Sequence, residues 1–241
     1  MVRLKFDKAS LLFPTRTPPT EDGIGAKIIT RKGKHYIVSL NQLSIDLKAG
    51  DRVALIGQNG SGKSTLLRLA AGIYVPTEGS VSIEGRPATL FSTTVGLSVD
   101  VSAAKNIRDG ATLLNIPRDE IDDLVKEIIE FAELQRFADL PMRVYSSGMR
   151  ARMGFGLVTS HNADILLIDE VFGTGDSKFY AKAKERLEKK MEQSSLLLLA
   201  SHSESLVKSF CNKALWLHQG ETVEYDDVDI VFNSYKKFTS S

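Results

Sequence analysis

Arg52-Val-Ala-Leu-Ile-Gly-Gln-Asn-Gly-Ser-Gly-Lys-Ser-Thr65 is the stretch on which the fold turns. Its first part, Arg52 to Ile56, is a short apolar run closing on glycine, the pattern of a parallel strand buried on both faces. Gly57 to Ser64 then fits G-x4-G-K-S/T. The segment from Thr65 to Ala71 consists of good helix formers ending at Gly72, and Pro76-Thr-Glu-Gly79 turns the chain back into a strand from Ser80 to Ile83. Strand, glycine-rich loop, helix and strand in this order form a phosphate-binding unit. The glycines let the backbone wrap closely, so that successive N–H groups and the N-terminal end of the helix face negative charge. Lys63 is placed to reach the β- and γ-phosphates, and the Ser64 hydroxyl to ligate Mg²⁺. Gly57, Gln58, Asn59, Gly60, Ser61, Gly62, Lys63, Ser64 and Thr65 are therefore the candidate phosphate contacts.

Outward from this unit, Leu4 to Phe6 reads as a strand, and Pro14, Pro18, Pro19, Gly23 and Gly25 then read as a polar, mobile loop running to Lys34. From Tyr36 to Leu47 apolar residues alternate with polar ones, as in a half-buried strand. Between about Asp100 and Phe155 strand patterns vanish, and Ile121, Leu124, Val125, Ile128 and Ile129 recur at helical spacing. Strands return at Ile165 to Ile168, Leu196 to Ala200 and Ala214 to Leu217, with a charged helix from Lys178 to Glu192 between the first two. The expected fold is α/β, with a largely parallel core sheet, an antiparallel β part and an inserted helical subdomain. A single domain over 1–241 is expected, its catalytic core at about 1–91 and 161–241 and its helical subdomain at about 92–160.

The totals exclude several classes. A net charge of +1 gives no electrostatic reason to expect a nucleic-acid partner. The single cysteine, Cys211, permits no intrachain disulfide and reads as a small buried hydrophobe. No stretch approaches the ~18 apolar residues of a membrane span, and the first residues lack the apolar run of a secretory signal. The expected compartment is the cytoplasm.

Two further motifs carry chemistry. Ile165-Leu-Leu-Ile-Asp169-Glu170 is an apolar strand ending in two acids. Beside a phosphate loop, Asp169 can support the shell of a Mg²⁺ ion and Glu170 can accept a proton from attacking water. Tyr145-Ser146-Ser147-Gly148-Met149 opens the helix-like run Arg150 to Leu157. Small hydroxyl residues and a glycine at a helix start make a second anion site, suited to a γ-phosphate, although a plain helix cap has the same composition.

Gly57 to Ser64, Tyr145 to Met149, Asp169-Glu170, Gly175-Asp176 and His202 stand in the order of the Walker A loop, signature motif, Walker B strand, D-loop and H-loop of ABC ATPases. The chain resembles that family over nearly its whole length. The resemblance implies ATP and Mg²⁺ as cofactors and a homodimer in which Walker A of one subunit and the signature motif of the other enclose each nucleotide. It gives His202 the role of contacting the γ-phosphate and holding water and Glu170 in place, and it adds Asp176 to the nucleotide set. The YSSGM signature, in place of the commoner LSGGQ, and the Phe172-Gly-Thr-Gly-Asp176 D-loop look like the ATPase subunits of exporters for O-antigen, capsular polysaccharide and teichoic acid.

The expected role is therefore a peripheral subunit on the cytoplasmic face of the inner membrane, powering a polytopic permease. No direct contact with sugar is expected, and the end at Ser241 leaves no room for an added carbohydrate-binding domain. Where the family places a Q-loop glutamine, Leu90 to Asp100 has none, and Ser98 is the positional match. Tyr36 is the candidate for the aromatic that stacks on adenine, with a core or surface tyrosine as the alternative. Rival readings are an ABC ATPase for another substrate, a soluble ABC ATPase acting on DNA ends or ribosomes, and a P-loop kinase or GTPase. The last would leave Tyr145 to Met149 and His202 unexplained.

Overall fold

The computed structural model describes residues 1–18, 27–91, 97–114, 116–169, 177–201 and 203–240. They fall into two compact units, one drawn from residues 1–89, 163–170 and 194–241 and the other from 90–162 and 171–193.

The first unit holds a six-stranded sheet in the order β10-β9-β4-β8-β7-β6. Its strands are β4 (Arg52–Ile56), β6 (Pro87–Leu90), β7 (Ile165–Asp169), β8 (Leu196–Ala200), β9 (Lys213–His218) and β10 (Glu221–Asp227). β4 runs parallel to both β8 and β9, and β7 runs parallel to β8. All five residues of β8 are buried, as are Val53 to Ile56 and Ile165 to Ile168, which is why these strands read as unbroken apolar runs. The parallel strands end at one edge of the sheet, so Ile56, Asp169 and Ala200 are delivered to the same side. From β4 the chain passes into α1 (Lys63–Ala70), which packs against β7 and β8. In the same unit, α7 (Val228–Thr239) packs against β9 and β10, and Cys211 is buried at the end of α6 (Glu204–Phe210).

A four-stranded antiparallel sheet, order β2-β3-β1-β5, completes the unit. It comprises β1 (Arg3–Thr15), β2 (Ile28–Arg31), β3 (Lys34–Lys48) and β5 (Glu78–Glu84). Along β3, Leu43, Ile45 and Leu47 are buried while Ser44, Asp46 and Lys48 are exposed, the alternation expected of a strand with one dry face. The loop expected from Pro14 to Lys34 is corrected here. Pro14 lies within β1, opposite Tyr36. β5 pairs with β1 only as far as Ser10, so beyond that point β1 has an open side where the missing proline N–H breaks no ladder. β2 and β3 then form a hairpin over Lys32 and Gly33, whose φ angles of 49° and 73° suit a two-residue turn of the twist-matching type. The remaining part of that loop, 19–26, lies outside the described residues.

The second unit contains α2 (Ala103–Leu113), α3 (Ile121–Phe131), α4 (Ser147–Val158) and α5 (Ser177–Gln193). Ile107, Val125, Ile128, Ile129, Met142, Tyr145 and Met153 share its core. Asn106, 5% exposed, closes the turn before α2: its amide oxygen accepts from Ser98 N at 2.8 Å, and its amide nitrogen donates to Ser98 O at 2.8 Å and Ser102 O at 3.1 Å. Ser98 is thus held through its backbone. Residues 92–96, in the stretch that lacks the glutamine, are outside the described residues.

Candidate nucleotide site

The loop between β4 and α1 is shaped by what surrounds it. A Cβ on Gly57, whose φ is 149°, would meet the Leu217 carbonyl oxygen at 2.3 Å and Ser61 Oγ at 2.6 Å. At Gly62, φ 107°, it would meet Ser39 O at 2.7 Å. Neighbouring backbone therefore presses on the loop from both β9 and β3, and these two positions admit only glycine. Inside the loop, Ser61 N donates to Gln58 O at 3.1 Å, and Lys63 Nζ donates to Gly57 O at 2.7 Å and Gln58 O at 3.0 Å, so the ammonium lies across the loop's opening. Gly220 N donates to Ser61 O at 3.0 Å, and Gly220 O in turn accepts from Asn41 N at 2.8 Å, tying the loop to β3 through peptide groups alone.

Helix α1 begins at Gly62 in the left-handed region, with no side chain capping its first N–H groups. A helix end of this kind presents partial positive charge and unsatisfied donors. Ser61 is 4% exposed and its Oγ has no hydrogen-bond partner among the described residues. Buried, unpaired polar atoms are costly and rare, and one beside an uncapped helix end marks a place built for a polar ligand. Thr65 Oγ1 pairs with Ser39 Oγ at 2.7 Å. Ser64 follows Lys63 in the first turn of α1, and Asp169 ends β7, the strand against which α1 packs.

A cavity of about 430 Å³ adjoins the loop, within the size range of small-ligand sites. It is lined by Gln58, Asn59, Gly60 and Ser61 of the loop, by Ile37, Val38 and Ser39 of β3, and by Lys27, His218 and Gln219. Tyr36 lies on β3 opposite Pro14 and Ile29 and is not among the lining residues. Ser39, His218 and Gln219 were not singled out from sequence. The signal that could have found them is the turn His218-Gln219-Gly220 after an apolar strand, the same strand-to-loop logic that exposes the Gly57 loop.

In the second unit, Ser146 caps α4: its Oγ accepts from Met149 N at 3.2 Å. Ser146 and Ser147 are exposed, and a Cβ on Gly148 would meet nothing nearer than Ser146 Oγ at 3.9 Å. Beneath them Tyr145 is 4% exposed, and its hydroxyl donates to Phe137 O at 2.6 Å. Burial pushes the phenol above its usual range, keeping it a neutral donor. Arg150 Nη1 donates to Tyr145 O at 2.8 Å, so the turn into α4 is pinned on both sides. Glu170, Asp176 and His202 lie outside the described residues.

The ABC transporter family model matches residues 40–173, from β3 through the phosphate loop and α4 to just beyond Asp169. The chain belongs to this family. As an ABC ATPase domain it is 42% identical over 195 residues to the O-antigen export system ATP-binding protein RfbE of Yersinia enterocolitica, covering 81% of each chain. It is 38% identical over 206 residues to the RfbB protein of the corresponding system in Klebsiella pneumoniae, covering 86% of this chain and 83% of that one. It is 36% identical over 236 residues to the teichoic acids export ATP-binding protein TagH of Bacillus anthracis, covering 98% of this chain but 43% of TagH. The chain thus spans about two fifths of the length of the TagH proteins of Bacillus anthracis and Bacillus cereus. An ATP-binding cassette solved as a dimer in a post-hydrolysis state with ADP and Pi superposes with a TM-score of 0.68 at 22% identity, covering 93% of this chain and 98% of that one. That likeness shows the ABC cassette fold. The parallel sheet, antiparallel sheet and helical unit expected from the sequence are those of the family, and nucleotide binding follows from membership.

Proposed function

We propose that this chain is the ATP-hydrolysing subunit of an exporter for a cell-surface polysaccharide of the O-antigen or teichoic-acid kind. The observation that carries the reading is the loop of Gly57 to Ser64, whose backbone is held open beside an uncapped helix end in a chain closely similar to ATP-binding proteins of such export systems. Lys63 and the loop N–H groups take the β- and γ-phosphates. The Ser64 hydroxyl and the Asp169 carboxylate are hard oxygen donors, which suit Mg²⁺, an ion that keeps several waters and takes few protein ligands beside phosphate. Bound there, the ion would neutralise charge developing on the transferred phosphoryl group. Glu170 takes the proton of the attacking water, His202 orients that water and Asp176 completes the nucleotide set. Ser146, Ser147, Gly148 and Met149 present the second anion site, from one copy of the chain to the ATP held by the other.

The whole of 1–241 then works as one nucleotide-binding domain, with its helical part at about 92–160 offering the surface for a polytopic permease. In this reading the permease supplies the path and this chain sits peripherally at the cytoplasmic face; among the described residues no helix is long and apolar enough to cross a membrane. Sugar is handled by the permease.

The test uses the Glu170→Gln variant, which removes the base and keeps the shape. Turnover should fall by about 10²–10⁴-fold while ATP affinity holds. Light scattering on a sizing column should then show an ATP- and Mg²⁺-dependent shift from monomer to dimer. Unchanged turnover would remove Glu170 from the mechanism. In the host, deleting the gene should strip the surface glycan, and only a hydrolysis-competent copy should restore it; a normal glycan in the deletion strain would rule out the export role.

A further inference from the structure

We propose that His218 forms the base-side wall of the nucleotide cavity and that Phe238, on the C-terminal helix α7, positions its ring. This rests on reading the cavity beside the phosphate loop as part of an ATP site, and it goes further by naming the group that meets the base.

The geometry starts from β9. Trp216 and His218 are alternate residues of that strand and share one face of it. Phe238 packs on both: its ring lies 5.1 Å from that of Trp216 at 58° and 5.3 Å from that of His218 at 72°. Tyr235, one helical turn earlier, meets Trp216 at 5.5 Å and 73°. Edge-to-face contacts of this kind hold rings in fixed orientations. Trp216 is 6% exposed and anchors the stack, while His218 is only partly buried and lines the cavity. β9 pairs with β4 from Lys213 to Trp216, and a Cβ on Gly57 would meet the Leu217 carbonyl at 2.3 Å. His218 is therefore carried at a set position relative to the phosphate loop.

Ile37 and Ser39 of β3, an apolar and a hydroxyl side chain, line the same cavity. A planar imidazole and an aliphatic side chain lining one cavity suit a flat heterocycle, and the imidazole nitrogens can hydrogen-bond its edge. The phosphate loop recognises only phosphates. His218 supplies the part of affinity that depends on the base, and Phe238 acts through it.

The test is calorimetric titration of the full chain, in Mg²⁺ buffer, with two probes: ATP and inorganic tripolyphosphate. His218→Ala should weaken ATP by roughly five- to tenfold and leave tripolyphosphate unchanged, since the phosphate loop is untouched. His218→Phe, which keeps a planar ring, should recover most of the ATP affinity. Phe238→Ala should weaken ATP by a smaller factor in the wild-type background and by none in the His218→Ala background. Tyr36→Ala should stay within about twofold of wild type. Equal loss of both probes in His218→Ala would show that the residue only supports the loop, and ATP binding at wild-type strength in that variant would show that the base lies elsewhere; either overturns the proposal. A wild-type chain that binds neither probe would overturn the ATP reading itself, and this proposal with it.

Discussion

Among the described residues, the N-terminal ends of α1 and α4 are finished in opposite ways. At α1 the capping position is a left-handed glycine and no side chain satisfies the first N–H groups. At α4 the cap is Ser146, in extended conformation, and its Oγ already accepts from Met149 N. The first end is left incomplete until an anion arrives, so ligand and loop are one structural unit. The second is complete on its own. Because Ser146 Oγ is occupied as an acceptor, its hydroxyl proton is what it can donate outward, and an anion there adds to a finished helix. An end that needs its ligand suits stable binding; an end that merely welcomes it suits a contact made and broken in each cycle.

The contrast is broken most strongly by Gly57→Ala. The added methyl meets the Leu217 carbonyl at 2.3 Å, so nucleotide binding should disappear and stability should fall by about 2–4 kcal/mol, read by denaturant titration. Lys63→Ala keeps the loop glycines but removes the ammonium and its bonds to Gly57 O and Gln58 O; ATP affinity should drop about 100-fold, with a smaller loss of stability than Gly57→Ala in the nucleotide-free protein. At the other end Ser146→Ala removes a cap, costing about 1 kcal/mol of stability. It should lower turnover of the dimer while ATP affinity of the isolated chain stays put, and an equal loss of affinity would erase the distinction between the two ends.

The smallest effect concerns Cys211. Burial pushes its thiol from an ordinary 9.0 up to about 12. The folded state therefore holds that proton more tightly than the unfolded one. The corresponding stability is fully present below pH 9 and is lost as pH rises toward 12. At neutral pH the native thiol should resist iodoacetamide until denaturant exposes it; rapid alkylation of the native protein would contradict its burial.

The strands that carry the site were legible because burial on both faces writes itself as an uninterrupted apolar run: Arg52 to Ile56 and Leu196 to Ala200 are strands at those limits in the structure. β10 was not legible, since no residue from Glu221 to Asp227 is buried and the charged composition mimics a loop. β1 was truncated in the sequence reading because Pro14 usually ends a strand; that it does not here depends on where β5 stops, a tertiary fact no local pattern contains. In the site, the loop glycines and Lys63 announce themselves by spacing. Ser39 and His218 do not, because each becomes part of the cavity only when β3 and β9 are brought to the loop. Asn106 is similar: its amide works on Ser98, eight residues back, and only the fold shows that it is buried.

The relay from Ser61 O through Gly220 to Asn41 N uses only main-chain atoms. None of those groups titrates, and none carries a charge that salt could screen. The frame around the phosphates is thus indifferent to acidity and ionic strength over any range in which the sheets persist. The vulnerable point is position 220 itself, where a proline would remove the donor that Ser61 relies on and where mutational tolerance should collapse.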